Sequence, residues 1–260
     1  HNYMPEDVQD VADVVGDSLT LAKAGTDSEA DVLLEAAVLF MNEILAIMKK
    51  PHQIVLAPDL KALCSLAAHA DVSKLKAWKE AHPDGKVISY VNTYIDIKAE
   101  SDYCCASANS PDVIKYVFEH ETGPVLFGPD VYLGFYAARM LEKMGQSIDR
   151  LWLMMGACHV HDRIRMSHVE EQRKRHPGAA TAAHMECGCM SACMNQVDSG
   201  LISPDKMRFL STNGMIKFAK ETPAKKIIVA TEVGNIHPMS KAAPDKEFIP
   251  ANPEAICPFM

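Results

Sequence analysis

"VLFGPD", residues 125–130, is a short apolar run that closes on a proline and an acid. Two other stretches have the same form, "IVLAPD" at 54–59 and "IIVATE" at 227–232, the last with threonine before the acid. Each is followed by a helix-like stretch. Short apolar runs bounded by turn-forming residues read as buried strands.

Working outward, three serines open amphipathic helical patterns: Ser18 in "GDSLTLAKA", Ser107 in "ASANSPDVIKYV" and Ser211 in "LSTNGMIKFAK". Serine there reads as an N-cap, its hydroxyl accepting from a free amide of the first turn. A polar cluster lies upstream of each: "HNY" at 1–3, "SYVNT" at 89–93 and "HME" at 184–186. The β-type runs "KVISYV" and "AATAAH" lead into the second and third clusters, and a similar strand is expected ahead of His1.

The resulting order is strand, polar tip, capped helix, strand, acidic tip, helix, in three copies. Strands alternating with helices predict an α/β fold with parallel sheets covered on both faces, in three-layer αβα domains. Sites in such folds gather at the carboxyl ends of the strands. Three copies about a pseudo-threefold axis would aim those ends at one cavity; the other reading is three loosely similar units of an ordinary α/β chain. The boundaries are a first repeat over 1–83, a second over 84–165, a third over 166–245, and a C-terminal segment over 246–260.

Spacing sets the third copy apart. His1 to Ser18 and Tyr90 to Ser107 are each 17 positions, but His184 to Ser211 is 27. The additional residues fall where Cys189 and Cys193 stand, so a site common to the copies need not include those two thiols.

Composition narrows the function classes. A net charge of −8 argues against a nucleic-acid partner, because no basic stripe exists to neutralise phosphates. The basic run in "EQRKRHP" (Arg173–Arg175) reads as one solvated helix face. No apolar run reaches the roughly 18 residues of a membrane span, and no signal peptide is visible. Eight cysteines in that setting fit a reducing, cytoplasmic location, where thiols serve as metal ligands, reactive groups or small buried side chains.

Cys104 and Cys105 are adjacent, so in a strand they point to opposite faces, and they read as packing. Cys64, Cys158 and Cys257 supply one thiol from each third of the chain, as a centre on a pseudo-threefold axis would use. Distant spacing alone does not identify such a site; a local C-x2-C motif would be a stronger signal. Proline after Cys257 suits a cluster ligand, since it lacks an N–H and stiffens the turn.

The ordered motifs resemble the quinolinate synthase family along essentially the whole chain. Among them are "HNYMPEDVQDVADVVGDSL", "PDLKALCSLA", "GPDVYLG", "GACHVHDRI", "HMEC", "LSTNGMI", "PAKKIIVATEVGNIH" and "EAICP". The resemblance implies αβα domains around a pseudo-threefold axis and a [4Fe-4S] cluster held by Cys64, Cys158 and Cys257. It implies condensation of iminoaspartate, supplied by an aspartate-oxidising enzyme, with dihydroxyacetone phosphate. Quinolinate, the precursor of the NAD pyridine ring, forms as inorganic phosphate and water leave. Acid–base work falls to His1, Tyr3, Tyr90, His184 and Glu186. Substrate binding falls to Ser18, Tyr90, Asn92, Ser107, Asn109, His161, Ser211 and Thr212, several of them where helix N-termini favour anions.

The chain departs from the family pattern at Met185, where proline is usual, and at Tyr132, where asparagine is usual. The "CGCMSACM" insert belongs to one branch of the family. Two other readings remain open on the residues. One is a zinc hydrolase built on His159 and His161; the other is a redox sensor built on Cys187, Cys189 and Cys193.

Overall fold

A computed structural model describes all residues, 1–260. The chain divides into two compact units, His1–Leu21 with His159–Pro258, and Ala22–Cys158. In chain order the first elements are α1 (Glu6–Val11), α2 (Ser18–Asp27), β1 (Val32–Leu34), α3 (Leu39–Met48), β2 (Ile54–Leu56) and α4 (Val72–Ala81). There follow β3 (Lys86–Tyr90), α5 (Ile95–Ala99), β4 (Tyr103–Cys105), α6 (Ser110–His120), β5 (Val125–Gly128), α7 (Val131–Lys143) and β6 (Leu151–Leu153). The last part holds α8 (His159–Asp162), α9 (Met166–Arg175), β7 (Ala180–His184), α10 (Met190–Asp198) and β8 (Met207–Leu210). It ends with α11 (Thr212–Glu221), β9 (Lys226–Ala230), α12 (Ile236–Ala242) and β10 (Glu247–Pro250).

The fold is α/β, with every strand pair parallel. The two four-stranded sheets share one topology, β4-β3-β5-β6 and β8-β7-β9-β10. β7 and β9 are apolar and buried almost throughout because helices cover the sheet. Ala182, Ile227 and Val229 pack there against Met215 and Ala219 of α11 and Met239 of α12. In the smaller sheet, β1 pairs with β2, and Val32, Leu34, Ile54 and Leu56 are exposed along one face. No helix is long and apolar enough to cross a membrane.

The three apolar runs are strands as expected, but they are not three copies of one strand. β5 and β9 each pass through a helix, α7 or α12, to the edge strands β6 and β10; β1 passes through α3 to β2. By this order "IVLAPD" corresponds to β6 and β10, while the counterpart of β5 and β9 is "VLL" at 32–34. The acidic tips of the other two copies are caps. Asp130 accepts from the Leu133 amide at 2.7 Å, and Glu232 from the Gly234 amide at 2.7 Å. The "IVLAPD" acid, Asp59, accepts only within its own turn, from Lys61.

The N-caps also sort differently. Ser211 caps α11, accepting from the Gly214 amide at 3.2 Å. At α2 the capping oxygen is that of Asp17, on the Thr20 amide, and Ser18 is the first helical residue. Ser107 lies in a short 3-10 turn ahead of α6, where Asn109 turns its oxygen back to the Ala106 amide. The long third copy is explained by α10. Residues 91–102 join β3 to β4 through the five-residue α5, whereas 185–206 join β7 to β8 through the nine-residue α10.

Candidate active site

In the unit containing β7 and β9, strand ends bring distant residues into contact. The Tyr3 hydroxyl is 2.9 Å from Thr231 Oγ1 and 3.3 Å from His161 Nε2. His161 Nε2 is itself 3.0 Å from Thr231 Oγ1, closing a triangle of three groups that can each hold a proton. Thr231 directly follows β9, His161 lies on α8, and Tyr3 belongs to the tip before α1. His184, the last residue of β7, stacks on His161 with ring centroids 4.9 Å apart. Glu186 is two residues on, its carboxylate 3.6 Å from His184 Nδ1. His1 meets Tyr3 edge to face at 4.8 Å and accepts the Tyr3 amide on Nδ1.

Burial fixes the protonation states. Desolvation holds His161 down to about 4 and drives His184 well below the usual imidazole value, with the neighbouring His161 adding to the effect on His184. Both rings are therefore neutral near pH 7. His184 Nδ1 accepts the Glu186 amide at 3.3 Å, which leaves its proton on Nε2. The contact with the Glu186 carboxylate is thus proximity rather than an ion pair. Tyr3 is pushed well above the usual phenol value, first by burial and next by the charge of Glu186. It is a proton donor at rest. One imidazole nitrogen facing two hydroxyls lets a proton move among them with little motion of heavy atoms.

The start of the insert braces this cluster. The amides of Cys187 and Gly188 donate to the carbonyls of His184 and His161, and the Cys187 thiol donates to the Ala230 carbonyl at 3.0 Å. A Cβ on Gly188 would stand 2.6 Å from the Asp162 carbonyl oxygen, so only glycine permits the approach.

At the N-terminus of α11, Ser211 and Thr212 hold hydroxyls beside free helix amides. Asn2, fully buried, donates to Thr212 Oγ1 at 3.1 Å and to Asn213 Oδ1 at 3.2 Å. Each hydroxyl accepts one bond and retains its own hydrogen to donate. Ser18, half-buried at the start of α2, takes no part in these contacts.

In the other unit Tyr90 ends β3 opposite Cys105 of β4, and Ser107 lies just beyond Cys105, so both stand at one end of the sheet. Tyr90 and Ser107 are buried, and the Asn92 side-chain oxygen is buried without a protein partner. Asn109 is exposed.

Six of the eight cysteines fall into two classes; of the other two, on β4, Cys105 is buried and Cys104 is exposed rather than packed. Cys64, Cys158 and Cys257 are half-buried and lie in the loops that leave β2, β6 and β10, the corresponding edge strands. The Cys64 amide donates to the Tyr94 hydroxyl at 3.1 Å and the Cys257 amide to Glu232 at 3.2 Å. Cys187, Cys189 and Cys193 are fully buried. The Cys189 and Cys193 thiols hydrogen-bond each other and are held far above the usual thiol value, Cys189 by its bonded thiol neighbour Cys187 first and Cys193 by Cys189 first. No three His, Cys, Asp or Glu side chains are gathered as ligands of a single ion, and His161, half of the H-x-H pair, faces Tyr3 and Thr231.

Over residues 1–260 the chain matches the family described as Quinolinate synthetase A protein. The chain belongs to this family. It is 43% identical over 260 residues to the quinolinate synthase of Pyrobaculum aerophilum, covering all of this chain and 81% of that one. A quinolinate synthase of Thermus thermophilus is 42% identical, with 79% of it covered, and one of Mycobacterium tuberculosis 39%, with 72% covered. The chain is accordingly an enzyme of the quinolinate synthase family.

Thr231, Asn2 and Glu232 lie in the strand tips read from the sequence, but the sequence assigns no site role to them there. Thr231 carried a signal, since it ends an apolar strand where this fold gathers its sites. Asn2 acts through contacts more than 200 positions away, and Glu232 joins its local cap to the Cys257 amide, neither of which spacing reveals.

Proposed function

We propose that this enzyme condenses iminoaspartate with dihydroxyacetone phosphate to give quinolinate, with release of inorganic phosphate and water, in the formation of NAD. The observation that carries the reading is the Tyr3–His161–Thr231 triangle beside His184 and Glu186. Such a condensation takes protons from carbon and delivers them to departing oxygens, so it needs groups of different acidity in one place. A protonated phenol, two neutral imidazoles and a carboxylate meet that need. Tyr3 donates to a leaving oxygen and is reprotonated through His161 and Thr231. Glu186, with His184, takes the proton from carbon.

Substrate carboxylates and phosphate are bound by the hydroxyls and amides at the start of α11, where the helix dipole favours negative charge. The resemblance to the quinolinate synthase family assigns further substrate contacts to Tyr90, Asn92 and Ser107.

The donor set of Cys64, Cys158 and Cys257 fits a [4Fe-4S] cluster: three partly accessible thiols on equivalent loops, two with anchored amides. Held by these three thiolates, the cluster would supply Lewis acidity at the one iron without a protein ligand. Cys189 and Cys193, fully buried and bonded to each other, are poor candidates for that role.

The test is anaerobic purification followed by assay with freshly generated iminoaspartate and dihydroxyacetone phosphate. Brown protein with about four irons per chain that forms quinolinate is the expected result. Iron-loaded protein that forms none overturns the reading.

A further inference from the structure

Gln9, on α1, is 5% exposed, and its amide nitrogen donates to three main-chain carbonyls. They are Met4 at 2.8 Å, Gly234 at 3.1 Å and Asn2 at 3.2 Å. Two hydrogens serve three acceptors, so one of the bonds is shared. The reverse orientation of the amide would set its oxygen against three carbonyl oxygens, so the network itself fixes which end is the donor. The amide oxygen has no protein partner; Gln9 also lines a cavity of about 270 Å³ with Val15, His237 and Lys241.

The positions of the three carbonyls carry the inference. Asn2 and Met4 flank Tyr3 in the chain, and Gly234 belongs to the turn that follows Thr231. That turn touches the tip directly: a Cβ on Gly234 would lie 2.9 Å from the Tyr3 carbonyl carbon and oxygen. Glycine is required for that approach. One buried donor therefore ties the backbone on both sides of the phenol to the backbone that carries Thr231. The Tyr3–Thr231 bond of 2.9 Å and the Tyr3–His161 distance of 3.3 Å are set by that joint position.

We propose that Gln9 is a positioning residue for Tyr3, holding the phenol in register with Thr231 and His161 for proton transfer. It does not touch substrate. The inference rests on the proposed role of Tyr3, and the test separates the two. In cluster-loaded enzyme, Gln9→Met keeps the side-chain length and removes the donor. Turnover is expected to fall about tenfold, with KM for either substrate changed less than about twofold, because a displaced proton donor impairs chemistry rather than binding. In a Tyr3→Phe background, Gln9→Met should slow turnover by less than about twofold more, since nothing remains to be positioned.

An equal loss in both backgrounds, or no loss in the wild-type background, overturns the positioning role. Normal turnover of Tyr3→Phe alone, measured with Gln9 intact, overturns the proton role of Tyr3 and this proposal with it. Gln9→Leu also lacks the donor and replaces Gln9→Met should that variant not fold. Failure of both to fold would assign Gln9 to folding and overturn the proposal.

Discussion

The Tyr3 hydroxyl and His161 Nε2 lie 3.3 Å apart although 158 positions separate the two residues in the chain. Thr231 Oγ1 is within 3.0 Å of both, so the imidazole and two hydroxyls form a closed relay. Tyr3→Phe should cut turnover by about a hundredfold or more, the scale for a lost general acid. Thr231→Val, which keeps the shape and removes the hydroxyl, should cost at least about tenfold. Iron content and product affinity are expected to stay near wild type in both, measured by iron assay and equilibrium titration with quinolinate. Near-normal turnover in both variants would leave the triangle a packing feature.

Glu186→Gln tests the other half of the proton chemistry. Its amide still donates to His184 Nδ1, so the local backbone should be unchanged. Turnover is expected to fall by about a hundredfold. The charge of Glu186 also raises Tyr3. Removing it should bring the phenol to a lower value, and ultraviolet titration of tyrosinate, compared with Tyr3→Phe, reads that shift.

The two classes of cysteine should respond oppositely to serine. Cys64→Ser, Cys158→Ser and Cys257→Ser are each expected to lose the brown colour and the iron. Cys189→Ser and Cys193→Ser should keep both, since those thiols are buried and bonded to each other. A colourless Cys189→Ser beside a fully loaded Cys158→Ser would reverse the assignment.

Removing the hydroxyls of Ser211 and Thr212 acts on binding and on folding at once. Ser211 caps α11, so its loss should cost about 1 kcal/mol of stability. Thr212→Val also leaves Asn2 without one of its two acceptors. Each charge-assisted bond to a substrate anion is worth roughly 1.5–3 kcal/mol, so the double variant should bind quinolinate at least about tenfold more weakly. An unchanged dissociation constant would restrict both residues to capping and bracing.

Glu35, just after β1, gives a pH-dependent prediction. It is 5% exposed, neither carboxylate oxygen has a protein partner, and burial raises it from 4.5 to about 7. The folded state therefore holds a proton that the unfolded chain releases, so stability falls as pH rises from about 4.5 to about 7 and levels off above. The loss attributable to this group is about 3 kcal/mol. Glu35→Gln removes that slope. Denaturant midpoints of the variant relative to wild type should rise between about pH 4.5 and about pH 7. A constant difference would show that Glu35 ionises freely.

Much of the fold was legible in the residues because it is local. Apolar runs ending in turn residues marked β5 and β9, Ser211 marked its own cap, and spacing located α10 as the extra element of the third copy. Backbone hydrogen bonding and side-chain period act over a few positions, so a short window of sequence carries them. Which strands correspond was not local. "IVLAPD" matches β5 in composition, but the order β1–α3–β2 aligns it with β6 and β10, the edge strands of the larger sheets. Strand order depends on long-range pairing that alternation in one run cannot encode. The Thr20 amide of α2 is capped by Asp17 rather than by Ser18, and the Asn109 oxygen turns back to the Ala106 amide, contacts that the serine pattern did not distinguish. The α/β class and the family followed from the residues in order. Three-dimensional packing alone joined Thr231 to Tyr3 and His161, and set Asn2 and Gln9 to hold the tip. Those partners lie 70 to 228 positions apart, and only packing of the β7–β9 sheet with its helices brings them within a hydrogen bond.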